Sequence, residues 1–290
     1  MRSPHALQFF LPPPLLSDVR NWYIPPMSSR TLIGIPGDIS GRPFRDALRS
    51  AGEFEVVLDT PASLAQRLEH RGLGGALLSP IDYARNASEY LIVPGSAVSS
   101  QSGNESIVIH FRQGVKAVRT LAVQPVSASD IILAKILLAE RFDIEPRIMP
   151  LAGSLDDMLE RADAALLAGD AAIGSALERP EALDLVEEWI AATDLPYVHG
   201  FWCARENMLT DAERSVLGEL GSVADDPSPG AEGPSPFDLF SYDFPENVQE
   251  GIREFLRYAY YHGILPDVPD LRFFGTDEAD ESGPPILSPN

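Results

Sequence analysis

Between Ala76 and Ser106 the chain reads ALLSPIDYARNASEYLIVPGSAVSSQSGNES, and its hydroxyl side chains stand where a polar ligand could be held. The run Ala76-Leu77-Leu78 breaks at Ser79-Pro80, and Leu91-Ile92-Val93 breaks through Pro94-Gly95 into Ser96, Ser99, Ser100 and Ser102. Short apolar runs bounded by turn residues predict buried strands. In open α/β sheets ligands bind outside the carboxyl ends of strands, where hydroxyls and loop N–H groups can bond an anion or a polar ring. Turn chemistry is the competing reading, because Ser and Gly are favoured in turns for conformational reasons alone.

Other candidates lie at predicted strand-to-helix junctions. Arg42, in Ile39-Ser-Gly-Arg-Pro-Phe44, falls where a helix start offers free N–H groups and positive potential to an anion. A surface arginine is an equal alternative. Ser127 and Ser129 precede another helix, with Ser129 suited to its N-cap. Asp170 follows Gly169 toward the same cleft, and a carboxylate that would repel a dianion is assigned to positioning. His110 and His199 fall on presumed strands, where a structural histidine is the commoner case. Cys203, the single cysteine, sits in an apolar run and reads as core; neither a disulfide nor a metal-ligand spacing is available to it. No G-x-S-x-G, H-E-x-x-H, Walker or Rossmann signature occurs in the required context. We therefore expect neither metal nor cofactor.

The elements that must position these residues follow from periodicity. Strands are predicted at Thr31 to Ile35, Phe54 to Leu58 and Gly75 to Leu78, with helices at Pro43 to Ser50 and Pro61 to His70 between them. This βαβαβ order requires a parallel sheet. A second α/β unit is expected from Ser106 to Phe111, Thr120 to Val123, a helix from Ser129 to Arg141, Glu145 to Pro150, a helix from Ser154 to Glu160, and Ala164 to Leu167. Val198 to Cys203 returns the chain to the first unit, and a last helix runs from Pro245 to Tyr261. The expected architecture is two α/β lobes, each a mainly parallel sheet flanked by helices, joined by two crossing strands near Ser106 to Phe111 and Val198 to Cys203. Lobe 1 would comprise residues 29–108 and 204–277, with a Pro, Gly and Asp-rich insertion at 223–237, and lobe 2 residues 109–203. Residues 1–28 are expected to be a disordered or over-extended start, and 278–290 a tail.

A chain of 290 residues with 44% hydrophobic content can bury a substantial core. The net charge of −21 leaves no basic stripe for nucleic acid and disfavours an anionic membrane surface. No apolar run reaches the length of a membrane span, and Pro12, Pro13 and Pro14 interrupt any signal-sequence core, so the expected compartment is the cytoplasm.

The Ala-Leu-Leu-Ser-x-Ile-x-Tyr-Ala motif, the Pro-Gly step, Ser100 and Ser106 six residues apart, and Asp163-Ala-Ala-Leu-Leu-Ala-Gly-Asp170 together resemble the chorismate dehydratase family of futalosine-pathway menaquinone biosynthesis. Glu187-Glu-Trp189, Leu195-Pro-Tyr-Val198 and Phe201-Trp-Cys-Ala-Arg205 follow in the family's order, and the likeness runs from about Thr31 to Glu206. The resemblance implies a type II periplasmic-binding-protein-like fold and a cofactor-independent carbon–oxygen lyase. Its substrate would be a small carboxylate, chorismate, and its product 3-[(1-carboxyvinyl)oxy]benzoate. It implies catalytic roles for Ser100 and for Ser40, which stands where the family carries Asn. Substrate contacts are implied at Arg42, Ser79, Ser99, Ser106, Ser127, Ser129, Asp170 and His199. Ser100 would orient or protonate the leaving hydroxyl, and the substrate's own carboxylate would take the ring proton. Ala128 stands where the family usually has Arg. These departures keep open a rival reading, a non-catalytic solute-binding protein of the same fold; a dihydroxynaphthoate synthase lacks its expected signature here.

Overall fold

The structure, a computed structural model, describes residues 30–275 except 125, 180 and 224–234. The expected N-terminal extension, most of the 223–237 insertion and the tail therefore lie outside the described residues. Two sheets organise the chain. The first contains β1 (Thr31–Pro36), β2 (Phe54–Asp59), β3 (Gly75–Leu78), β4 (Tyr90–Ser100), β10 (Tyr197–Arg205) and β11 (Ser241–Asp243), in the order β11-β4-β10-β3-β1-β2. The second contains β5 (Ile107–Phe111), β6 (Thr120–Val123), β7 (Arg147–Pro150), β8 (Ala164–Ala168) and β9 (Leu183–Asp184), in the order β7-β6-β8-β5-β9. Helices α1 (Arg42–Ala51), α2 (Pro61–Glu69), α3 (Pro80–Ala84), α8 (Asp211–Val223), α9 (Pro236–Leu239) and α10 (Glu246–Tyr261) belong to the first lobe. Helices α4 (Ala128–Phe142), α5 (Leu155–Arg161), α6 (Asp170–Glu178) and α7 (Leu185–Thr193) belong to the second.

Each sheet is mixed rather than mainly parallel. Strands β1, β2 and β3 pair in parallel, as the βαβαβ pattern requires, but β10 runs antiparallel to both β3 and β4. In the second lobe β6 pairs in parallel with β7 and β8, while β5 runs antiparallel to β8 and β9. Strands β5 and β10 lie in different sheets, so the lobe crossings fall at residues 101–106 and 194–196, just outside the strands.

The Pro94-Gly95 step also differs from expectation. It does not end a strand; β4 continues to Ser100, and three extra residues bulge out between the Ala97–Phe201 and Ile92–Cys203 pairs. Gly95 has φ 107°, and a Cβ there would lie 2.5 Å from the Gly218 carbonyl oxygen, so only glycine lets the bulge pack on α8. Ser96, Ser99 and Ser100 are therefore delivered by a buried strand, whereas Ser102 lies in the exposed bend that follows it.

The periodic helices behave as their sequences dictate. Ser127, not Ser129, caps α4, sharing a capping box with Asp130. Apolar Ile132, Leu133, Ile136 and Leu137 of α4 join a core that also takes Trp189 of α7 and Ile252, Phe255 and Leu256 of α10. Helix α10 packs on both β10 and α4, so a shared apolar base ties the lobes together below the polar seam between them.

Candidate functional site

The carboxyl ends of β1, β2, β6 and β8 face one another across the lobes around a half-open cavity of about 40 Å³. Pro36, Asp38 and Ser40 line it from the β1–α1 connection, Pro61 from the start of α2, and Ser127 and Asp130 from the start of α4. Ala168 and Gly169 close it before α6, Ser106 and Ile107 contribute from β5, and His199 and Phe240 complete the wall. Four of these segments lie at the starts of α1, α2, α4 and α6, whose N-termini direct partial positive charge toward the cavity. The strand ends expected to hold a ligand, those of Ala76–Leu78 and Leu91–Val93, contribute no lining residue; the ends of β1, β2, β6 and β8 lead into the cavity instead.

One wall is a chain of hydrogen bonds whose donors can be assigned. Asn104 Nδ2 donates to the Leu239 carbonyl at 2.7 Å, and Asn104 Oδ1 accepts from the Ser106 N–H at 3.1 Å and its hydroxyl at 2.7 Å, which settles the amide orientation. Asn104 Nδ2 also donates to Ser100 Oγ at 2.8 Å. Ser100 Oγ lies 2.8 Å from His199 Nε2 and 3.4 Å from the Leu239 carbonyl, and we assign its hydrogen to the nearer acceptor, the imidazole nitrogen. In a neutral ring this places the histidine proton on Nδ1. The ring is neutral: burial holds the His199 imidazole far below its ordinary value, at about 3. The edges of Tyr197 and Phe240 enclose it, with ring centroids 5.0 and 5.1 Å away.

The opposite wall carries carboxyls. Asp38 Oδ1 accepts from the Ser40 N–H at 3.0 Å and its hydroxyl at 2.5 Å. Burial raises the Asp38 carboxyl above the usual range against those bonds, and the Asp170 charge adds to the rise. Asp170 Oδ1 accepts from the Ile39 N–H at 3.0 Å, a bond that joins α6 of one lobe to the β1–α1 connection of the other. Gly169, φ 62° and ψ −140°, lies directly against Asp38.

The sequence-predicted residues fall into distinct places. Ser40, Ser106, Ser127 and His199 line the cavity. Ser100 is fully buried behind His199 and reaches the cavity through it. Ser99 is buried with its hydroxyl unpartnered and does not line the cavity. Ser79 caps α3 and donates to Asp82 Oδ2 at 2.7 Å, while Ser129 Oγ accepts from the Ile81 N–H at 3.0 Å. Ser79 thus serves the α3 cap and Ser129 joins α3 to α4, and neither lines the cavity. Arg42 is the first residue of α1, is half-buried, and is absent from the lining; no ion pair joins it to another described residue. Asp38, Asn104, Asp130, Tyr197 and Phe240 were missed. Asn104 and Asp130 carried a legible signal, an amide two residues before Ser106 and a capping-box acid; the others become neighbours only through the lobe arrangement.

Ser127 allows a matched test. Ser127→Ala should cost about 1 kcal/mol of stability through the lost α4 cap, and it also removes a lining hydroxyl. Ser154, in the equivalent capping box of α5, does not line the cavity. Thermal melts of Ser127→Ala and Ser154→Ala should both shift downward, whereas calorimetry should find carboxylate affinity weakened only in Ser127→Ala.

Two lobes of mixed α/β structure with a polar cavity between them define a periplasmic-binding-protein-like architecture. Solved structures agree on the fold. A protein from Archaeoglobus fulgidus superposes with a TM-score of 0.61 at 17% identity, covering 82% of this chain and 100% of that one. The periplasmic aliphatic sulphonate binding protein of Escherichia coli gives a TM-score of 0.53 at 16% identity, over 83% of this chain and 95% of that one. The chain belongs to the menaquinone-biosynthesis family, whose model matches residues 32–222. It is 29% identical over 220 residues to a chorismate dehydratase of Thermus thermophilus, covering 67% of this chain and 80% of that enzyme. Among the described residues no helix is long and apolar enough to cross a membrane, and no group of three or more His, Cys, Asp or Glu is placed to hold a metal.

Proposed function

We propose that this chain is a chorismate dehydratase, a cofactor-independent hydro-lyase of the cytoplasm that opens the futalosine route to menaquinone. The reaction removes the ring hydrogen on the carbon bearing the enolpyruvyl ether and the hydroxyl on the adjacent carbon. It yields 3-[(1-carboxyvinyl)oxy]benzoate and water. Formation of the aromatic ring supplies the driving force, so the protein's task is orientation and assistance to the leaving hydroxide. The observation that carries this reading is the half-open interlobe cavity of a menaquinone-biosynthesis family member, walled by a neutral, oriented imidazole.

Neutral His199, its proton set on Nδ1 by Ser100, donates a hydrogen bond to substrate without adding charge. Ser100 then acts by positioning His199, and Ser106 by holding Asn104, rather than by touching substrate. The lining hydroxyls of Ser40 and Ser127 orient the ring substituents, and the substrate's enolpyruvyl carboxylate accepts the ring proton. A cavity of about 40 Å³ is far smaller than the roughly 300 Å³ or more of typical ligand sites. The lobes must therefore part along the Asp38–Asp170 seam to admit substrate and close again over it.

Incubation of the purified protein with chorismate, followed by chromatography, should show the enolpyruvyl benzoate accumulating. Absence of turnover at high enzyme concentration would remove this reading. The second reading, a non-catalytic carboxylate-binding protein, draws on Ser40 and Ala128, and binding without conversion in the same experiment would select it. Ser40→Asn is expected to raise dehydratase turnover if the serine is a drifted catalytic position.

A further inference from the structure

The cavity presents an electrostatic contradiction for an anionic ligand. Its lining includes a carboxyl from each lobe, Asp38 and Asp130, and among the described residues no lysine or arginine lines it. Two ionised aspartates would oppose a carboxylate strongly in a small, poorly solvated space, and helix N-termini contribute only partial charges against them.

Asp130 is the better placed to resolve this. It sits in the first turn of α4, almost wholly buried, with Oδ2 accepting from the Ser127 N–H at 3.2 Å and Oδ1 at 3.3 Å from the Tyr197 hydroxyl. The groups that face it are Ser127 from its own helix, Tyr197 and His199 from β10, and Asp38 from the β1–α1 connection. None is a cation: His199 is neutral, and burial together with the Asp130 charge pushes the Tyr197 phenol well above its ordinary value. Nothing near Asp130 favours its charged form except hydrogen bonds. Burial first, with the Asp38 charge adding to it, raises Asp130 to about 7 against the hydrogen bonds from Ser127 and Tyr197.

We infer that Asp130 meets the ligand's carboxylate as a neutral carboxylic acid, donating its O–H across the cavity, so that the cleft takes up a proton as it closes on an anion. The only bond formed is the Asp130 O–H, with a proton taken from solvent hydronium or buffer acid whenever Asp130 is ionised in the open cleft, and the proton stays on the pair until the lobes separate. A buried carboxylic acid kept neutral is an effective donor to an anion in a low-dielectric site. The arrangement supplies what an arginine would otherwise provide, a donor without a repulsive charge. The inference rests on the dehydratase reading only for the identity of the ligand.

The opposing view makes Asp130 an ionised capping-box carboxylate and nothing more. The two separate in a calorimetric titration at about pH 8.5, run in two buffers of different ionisation heat, with benzoate and with 3-[(1-carboxyvinyl)oxy]benzoate as probes. Wild-type protein should take up close to one proton per ligand, and its Kd should rise about tenfold per pH unit above neutrality, the limit for linkage to one proton. Asp130→Asn keeps the capping acceptor and a donor but cannot titrate, so its Kd should stay flat over the same range with no proton uptake. A thermal melt establishes that the variant is folded. If it is not, Tyr197→Phe decides: loss of a hydrogen bond to the carboxylate should move the wild-type midpoint to higher pH. Proton-independent binding by wild-type protein, an unchanged profile in the variants, or failure of both carboxylates to bind would overturn the inference. Proton-linked binding without conversion of chorismate would remove the dehydratase reading alone, and conversion with proton-independent binding would remove only this inference.

Discussion

Ser100→Ala is expected to lower kcat for chorismate about a hundredfold while the chain remains folded. The Ser100 hydroxyl is the link between the Asn104 amide and His199 Nε2. Without it Asn104 keeps Leu239 and Ser106, so the loop 101–106 retains its shape, but the imidazole loses the group that sets its proton on Nδ1. A hydroxyl fully buried against these partners costs about 1–3 kcal/mol when its removal leaves one of them unsatisfied. The catalytic loss has a separate origin: a donor no longer held in the orientation the departing hydroxyl needs, for which about two orders of magnitude is the usual scale. Steady-state kinetics should show the fall in kcat, with less change in product binding, because uniform ligand affinity does not depend on that orientation. A wild-type kcat in Ser100→Ala would separate the Ser100–His199 pair from the chemistry.

Gly169→Ala should act on the seam between lobes. The backbone there, φ 62° and ψ −140°, belongs to a region that residues with a Cβ enter at a cost of about 1–3 kcal/mol. The added methyl would also stand 2.8 Å from Asp38 Oδ2 and 3.1 Å from its Cβ. Asp38 cannot swing aside freely, because its carboxylate is held by the Ser40 N–H and hydroxyl. The methyl would therefore push the lobes apart at the point where they meet, and weaken the bond between the Ile39 N–H and Asp170. We expect a lower melting temperature, at least a tenfold loss of carboxylate affinity, and a larger radius of gyration by small-angle scattering at the same ligand concentration. A variant that binds and compacts like the wild type would show that the seam adjusts without opening.

The single-chain signals were strongest where a local rule is also the global one. Thr31–Pro36, Phe54–Asp59 and Gly75–Leu78 became parallel neighbours because alternating apolar runs and helices admit few other packings. The 15-residue α4 formed because Ser127 and Asp130 close its first turn and its apolar side chains reach the shared core. Ser40, Ser106, Ser127 and His199 reached the cavity because strand ends and helix starts are where polar groups are left free.

The sequence by itself determined the two α/β lobes and the strand ends and helix starts from which Ser40, Ser106 and Ser127 reach the cavity. Only the tertiary structure decided which hydroxyls would serve it. Ser79 is spent on the α3 cap and Ser129 on the α3–α4 contact, and Ser100 lies behind His199 because β4 runs through the Pro94-Gly95 bulge and pairs antiparallel with β10. Asp38 and Asp130, far apart in the chain and each explicable as a local cap, come to line one cavity from opposite lobes. Burial, with the Asp170 charge acting on Asp38 and the Asp38 charge on Asp130, then raises both carboxyls, which no local pattern encodes.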